Sequence, residues 1–173
     1  LEKLADITIP ETWYEKEPDE YKVLDVRFLK RPAFAVSQCK TAACDIARMM
    51  QQAVGLISFV QNSYDELSVQ KVMELEDIVD DKEDELSNYL TQLSAKPLSE
   101  IDSKKIGMYG KCVTDMERIS DYAKGIAYAQ KKLYVSEEAF SENARKEVSK
   151  IFAATMEIVE NTVQCFVHED VDL

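Results

Sequence analysis

The chain has 173 residues and a formal net charge of −12, from 21 Lys and Arg against 33 Asp and Glu. The length fits one compact domain, and the negative charge argues against nucleic acids and anionic membrane surfaces as partners, because both are bound through clustered cations. Only four Gly and four Pro are present, which excludes β-sandwiches and barrels and predicts long helices.

The first 31 residues differ in pattern from the rest of the chain. They hold two prolines and the only tryptophan, Trp13, without a sustained helical period, so we interpret 1–31 as an extended lead-in. A long amphipathic helix is predicted from Pro32 to about Asn62, because apolar residues recur there at spacings of three and four.

Two further helices follow the same periodicity. The second starts near Asp65, with Ser68 as an alternative N-cap, and ends at the break around Pro97. The third starts near Ser99 or Ser103 and runs to about residue 134.

A fourth apolar stripe leads from Phe140 to Phe166, with Ser136 as its predicted N-cap. Short connections favour antiparallel neighbours. The predicted fold class is therefore all-α: an antiparallel up-down bundle of about four long helices over 32–168, with 169–173 as a tail.

The four cysteines lack the CxxC spacing of metal sites, and a chain of this length can build a core without disulfides. We expect buried or partly buried free thiols in a reducing compartment. No run of 18 apolar residues and no signal-peptide pattern is present in the sequence given. Both ends look cut from something larger.

The second helix holds the densest charge run, eight acids between Glu74 and Glu85. Most such runs are solvated faces. At 100° per residue, however, three of the acids lie on or beside the apolar stripe of Val72 and Val79. These three are Glu76, Asp80 and Glu83.

The third helix adds Glu117 and Asp121, four residues apart and beside its own apolar stripe. Acids that converge from adjacent antiparallel helices would form an all-oxygen site, which suits Mg, Mn or Fe(II). Salt-bridged or rim-exposed carboxylates are the alternative, and the spacing alone leaves both open.

The stretch from Glu76 to Glu83, followed by Asp115-Met-Glu-Arg-Ile-Ser-Asp121-Tyr-Ala-Lys-Gly-Ile-Ala, resembles the signature of the PhoU family. The stretch from Leu24 to Val36 is similar to the lead-in of one subgroup. That subgroup is the cytoplasmic C-terminal region of bacterial sodium/phosphate (Na/Pi) cotransporter-type membrane proteins. The resemblance covers about residues 24–168.

The resemblance implies a helical bundle, iron, magnesium, manganese or zinc on the acidic motifs, and control of phosphate uptake. By position, Glu76 and Asp80 match the first acidic pair of the family, and Glu117 and Asp121 match the second. Arg118 matches the family arginine.

Three departures from the family pattern stand out. Ser120 replaces the usual Gly, and Tyr122 stands where many members have His. The complete family architecture has two three-helix repeats, and this sequence ends before the acidic helices of the second. Self-association into a homo-oligomer would cover an apolar face left open by such a truncation.

The predicted function is a non-enzymatic, metal-binding regulatory domain of a sodium-dependent phosphate transporter, on the cytoplasmic side of a bacterial cell membrane. The expected partner is the transmembrane portion of the same protein, and phosphate acts indirectly through metal. A metal-free helical interaction module is the alternative. A di-iron oxidase needs Glu-x-x-His pairs, and His168 is the only histidine, so no catalytic residues are predicted.

Overall fold

The computed structural model describes residues 23–60 and 64–169, without the side chains of 58–60. Within these ranges the only regular elements are helices. They are a short 3-10 helix (Val26–Lys30), α1 (Pro32–Val60), α2 (Glu66–Ser94), α3 (Glu100–Val135) and α4 (Glu142–His168). The all-α prediction is confirmed. Over the described part of the chain, no helix is long and apolar enough to cross a bilayer.

Side-chain caps fix the starts of α2 and α3. The Asp65 carboxylate accepts a 2.9 Å hydrogen bond from the Ser68 amide, so Asp65 rather than Ser68 is the N-cap of α2. The Ser99 hydroxyl accepts from the Asp102 amide at 3.1 Å and caps α3. Both caps satisfy amides that the first helical turn leaves unpaired.

The predicted N-cap of the fourth helix at Ser136 is wrong. Ser136 ends α3 instead: its hydroxyl donates to the Lys132 carbonyl at 3.0 Å, and Glu137 turns into the left-handed region with φ of 56°. The helix α4 begins six residues later, where the Ser141 hydroxyl caps the Ala144 amide. A serine bonded back to the preceding turn is unavailable to start the next helix.

The described end of the lead-in folds into the 3-10 helix Val26–Lys30 rather than staying extended. Asp25 caps the 3-10 helix by accepting from the Arg27 amide at 2.7 Å. The Tyr89 hydroxyl of α2 donates to the Asp25 carbonyl at 3.0 Å and ties this turn to the bundle. Residues 1–22, the predicted helix end near Asn62, and residues 170–173 of the tail lie outside the described residues.

The helices α1, α2 and α3 form the centre of the molecule, since each packs against the other two. Their shared core includes the fully buried Ile46, Met50, Leu86 and Tyr109. Burying such side chains stabilises a fold by about 1.5–3 kcal/mol each.

The helix α4 makes backbone contacts with α1 alone. It passes close over Gly55, where a Cβ would lie 3.7 Å from Met156 Cε. Near its end, Phe166 meets the ring of Tyr109 edge-on at 6.2 Å. The bundle is therefore a three-helix core with a fourth helix laid on one side.

All four cysteines are free thiols, as expected. Cys39 and Cys44 are buried in α1, while Cys112 and Cys165 are half-buried. Burial raises the pKa of Cys39 to about 12.

Candidate functional site

The register between α2 and α3 decides which acids face each other. Three cross-helix contacts, spaced two to three turns apart, set this register: Glu66 with Lys131, Glu76 with Lys124, and Glu83 with Thr114. In each contact the residue number rises along α2 as it falls along α3, so the helices are antiparallel. The predicted acids of both helices therefore lie along one shared face.

Glu76 is the most buried acid on this face, with 8% of its surface exposed. Its carboxylate accepts a hydrogen bond from Lys124 Nζ, which also donates to Asp77 Oδ1 at 3.0 Å. Burial raises the pKa of Glu76, the Lys124 ammonium lowers it, and Asp121 raises it again. The pKa of Lys124 is raised in turn by its bonds to Glu76 and Asp77.

Glu117 lies two turns before Lys124 on α3 and is half-buried. Burial is the main cause that raises the pKa of its carboxyl, followed by Asp121 through charge and a hydrogen bond. The charges of Asp80 and Glu83 on α2 raise it further. Four carboxyl groups therefore repel one another here, and a cation among them would relieve that repulsion.

Glu83 is held by hydroxyl groups rather than by a cation. Its Oε1 accepts from Thr114 Oγ1 of α3 and from Ser87 Oγ of α2, both at 2.9 Å. These two bonds fix the carboxylate across the helix interface and leave its second oxygen for another partner.

The structure brings the five predicted residues onto one face but not into one ligand cage. Asp80 and Asp121 are exposed, and Glu76 is paired with Lys124. Among the described residues, no three His, Cys, Asp or Glu side chains converge closely enough to hold a metal ion. The metal assignment of these residues therefore stays a prediction, and the salt-bridged alternative describes Glu76.

Arg118 lies at the solvent side of α3, as the helical wheel indicates. Its guanidinium is 3.7 Å from the Asp115 carboxylate, and both side chains are mostly exposed. An exposed pair of this kind contributes little to stability.

The sequence reading missed Lys124. This residue follows Asp121 by three positions and Glu117 by seven, so the helical wheel that placed the two acids also places Lys124 beside them. The sequence analysis also missed Thr114, which lies three residues before Glu117 and therefore on the same side of α3. Both belong to the acidic face, which we define as Glu76, Asp77, Asp80, Glu83, Thr114, Glu117, Asp121 and Lys124.

Residues 44–129 match the PhoU domain family. The chain is also 33% identical over 110 residues to the phosphate-specific transport system accessory protein PhoU homolog 1 of Thermotoga maritima. That alignment covers 62% of this chain and 46% of the relative, so the chain spans about half the length of this relative. No solved structure matches the chain significantly. The matched region runs from α1 through α3 and contains the whole acidic face, and on these findings this region of the chain is similar to the PhoU domain.

Proposed function

We propose that this chain is a non-enzymatic regulatory module of a phosphate transport system, and that it responds to a multivalent cation on the acidic face. The observation that carries the proposal is Glu117. Its pKa is raised by burial and by three neighbouring acids on two helices, and all four residues lie inside the PhoU domain match. The Thermotoga maritima relative bears a phosphate transport name, which supports the transport context.

The chemistry of the donor set suits a hard or borderline cation, and the described side chains would have to converge further to form its cage. The three acids that raise the pKa of Glu117 offer carboxylate oxygens, and Thr114 beside Glu83 offers a hydroxyl oxygen. These are ligands that Mg²⁺, Mn²⁺ and iron accept. Asp80, Glu83, Glu117 and Asp121 are the residues that would hold the ion. A bound cation would supply positive charge where the carboxylates repel one another.

Phosphate then acts through the metal rather than alone. Carboxylates repel a phosphate anion at short range, so a cation has to stand between them. This chain supplies the acids that hold the cation, and Lys124 is a second positive charge beside them. A phosphate effect of the same size in metal-stripped protein would contradict this part of the proposal.

The lead-in turn offers a route from the acidic face to a membrane partner. Tyr89 of α2 holds the Asp25 carbonyl at 3.0 Å, so a shift of α2 against α3 moves the attachment of the lead-in. The resemblance of Leu24 to Val36 to Na/Pi cotransporter-type proteins supports a transmembrane portion of a sodium-dependent transporter as the partner. In that setting the module lies on the cytoplasmic side of the membrane.

A metal-free interaction module is the second candidate, and Lys124 favours it. Its ammonium already bonds the carboxylates of Glu76 and Asp77, so one of these two negative charges is balanced without any ion. The remaining exposed acids would then steer association with a basic partner through long-range charge.

The two candidates separate in a metal titration. Chelator-stripped protein is melted with increasing Mn²⁺, Mg²⁺ or Zn²⁺, and Mn²⁺ binding is measured by calorimetry. A ligand at a hundredfold excess over its Kd stabilises by about 2.7 kcal/mol, which raises the melting temperature by several degrees in a domain of this size. We expect this rise in the unmodified chain and its loss in the double variant Glu117→Gln, Asp121→Asn.

The matched control is Asp81→Asn with Glu85→Gln. Both acids lie exposed on the same helix as Asp80 but on its opposite side, and the change in net charge is the same. If the control abolishes the metal effect equally, the effect is general charge screening. If no divalent ion binds or changes the melt, the metal proposal fails and the interaction module remains.

A further inference from the structure

The helix α4 has a second apolar stripe that points away from α1. Its inward face packs through Val159 and Val163, which are buried. On the outward face, Ile151 and Ile158 are 65% and 66% exposed, with the exposed Ala154 between them. Spacings of three and four place these three residues in one line along the helix.

This stripe continues into an apolar groove between α4 and α3. The groove has a volume of about 380 Å³, and Val54 and Ile57 of α1 form its floor. Tyr122 and Ile126 of α3 line one wall, and Ile151 lines the other. Exposed apolar surfaces that run together in this way mark sites of protein association.

Two unpaired charges show what kind of partner fits. Lys150 and Glu157 are exposed on α4, seven residues apart and therefore along the same edge of the stripe. Neither makes an ion pair with any other residue that the structure describes. A helix that carries the opposite charges in reverse order would complement both.

We propose that this partner is α4 of a second copy, packed antiparallel across a two-fold axis at Ala154. The axis brings each Lys150 opposite the partner's Glu157, which gives two symmetric ion pairs. It also places each Ile151 beside the partner's Ile158 in the apolar centre. An interface of this kind is self-complementary, as a closed dimer requires.

The polar residues at the two ends of the stripe are also compatible with this two-fold axis. Glu147 precedes Ile151 by one turn and Asn161 follows Ile158 by one turn. The two-fold places each Glu147 opposite the partner's Asn161, so no like charges meet along the stripe. Polar residues at both ends limit the contact to the central turns.

Sedimentation velocity from about 1 to 100 µM tests the proposal. We expect the unmodified chain to dimerise and Ile158→Lys to weaken the dimer at least tenfold. The control Ile101→Lys changes an isoleucine of α3 that is 69% exposed and should leave the dimer intact. Circular dichroism shows whether each variant keeps its helices.

Charge reversal and cross-linking test the antiparallel geometry. Lys150→Glu and Glu157→Lys should each weaken the dimer, and the double variant should restore it. A cysteine at Ala154→Cys meets its own copy on the axis and should form a disulfide dimer under mild oxidation, whereas Ala153→Cys should not. A chain that stays monomeric at 100 µM, or a dimer indifferent to Ile158→Lys, overturns the proposal.

Discussion

Lys124 is the side chain on which the acidic face depends most. It is the cation that bonds Glu76, the most buried acid of the molecule's described part, and it reaches Asp77 as well. An ionised carboxylate at that depth is unfavourable without a partner. The lysine therefore permits a charged group to lie within the α2–α3 interface.

Replacing this lysine by an apolar residue of similar length isolates its role. Lys124→Met leaves Glu76 buried and unpaired, and we expect a loss of about 2 kcal/mol, since hydrogen bonds to charged groups contribute that much. Urea denaturation at pH 7 measures it. The matched control Lys131→Met removes a surface pair with Glu66 and should change stability little. Equal losses in both variants would contradict the special role of Lys124.

The deficit of Lys124→Met should shrink as the pH falls. Burial already raises the pKa of Glu76, and loss of Lys124 removes the cause that lowers it. A carboxyl whose pKa is raised in the folded state stabilises the fold when protonated and loses that contribution as the pH rises through this pKa. Repeating the denaturation from pH 7 down toward the usual glutamate pKa of about 4.3 checks the sign.

The residue scale also shows where sequence reasoning ends. Helical periodicity placed Glu76, Asp80, Glu83, Glu117 and Asp121 on one face, because backbone geometry alone fixes which side of a helix a residue occupies. It could not decide whether an acid meets a cation or another acid. That outcome depends on the register between α2 and α3, which helical periodicity within each helix does not determine.

At the level of elements, local chemistry determines helix starts well when a single cap is available. Asp65 and Ser99 cap the helices predicted to begin there. The sequence pattern predicted Ser136 as the start of α4, whereas Ser141 caps this helix in the structure. Glu137 lies in the left-handed region directly after Ser136, and this turn separates Ser136 from α4.

The helix α4 should open before the others. It has two buried residues, whereas α2 has nine and α3 has seven, and its backbone packs on α1 alone. Segments with few buried contacts open at a free energy below that of global unfolding. Hydrogen exchange followed by mass spectrometry should therefore show faster amide exchange in α4 than in the centres of α1 and α3. Equal protection in all four helices would show that α4 unfolds only with the bundle.

The two proposed surfaces, the acidic face and the outward stripe of α4, lie in different parts of the molecule. The acidic face lies between α2 and α3, inside the 44–129 match, while the outward stripe of α4 lies beyond the matched residues. With six acids and one lysine, the acidic face accounts for less than half of the overall charge of −12. The bundle itself was predictable from composition and periodicity, but the outer position of α4 was not, because its stripe fits either a central or a peripheral helix.

If the surfaces are independent, their variants should not affect each other. We expect Ile158→Lys to leave Mn²⁺ affinity unchanged within about threefold, and the variant Glu117→Gln, Asp121→Asn to leave the dimer constant unchanged to the same degree. The free-energy changes caused by mutations at distant sites without shared partners are usually additive. Calorimetry and sedimentation on the same samples provide both constants, and a larger shift would reveal coupling through α3.

The reactivity of the buried Cys39 thiol reports on unfolding of the bundle. None of its side chain is exposed, and its pKa is raised to about 12. Because alkylating reagents attack the thiolate, this sulfur reacts only in molecules whose bundle has come apart. Cys165 is half-buried on α4 and lies seven residues after Ile158, on the outward side of that helix, so its labelling does not require α4 to leave α1. The ratio of the two labelling rates in the unmodified chain therefore measures opening of the three-helix core, with Cys165 as the internal reference.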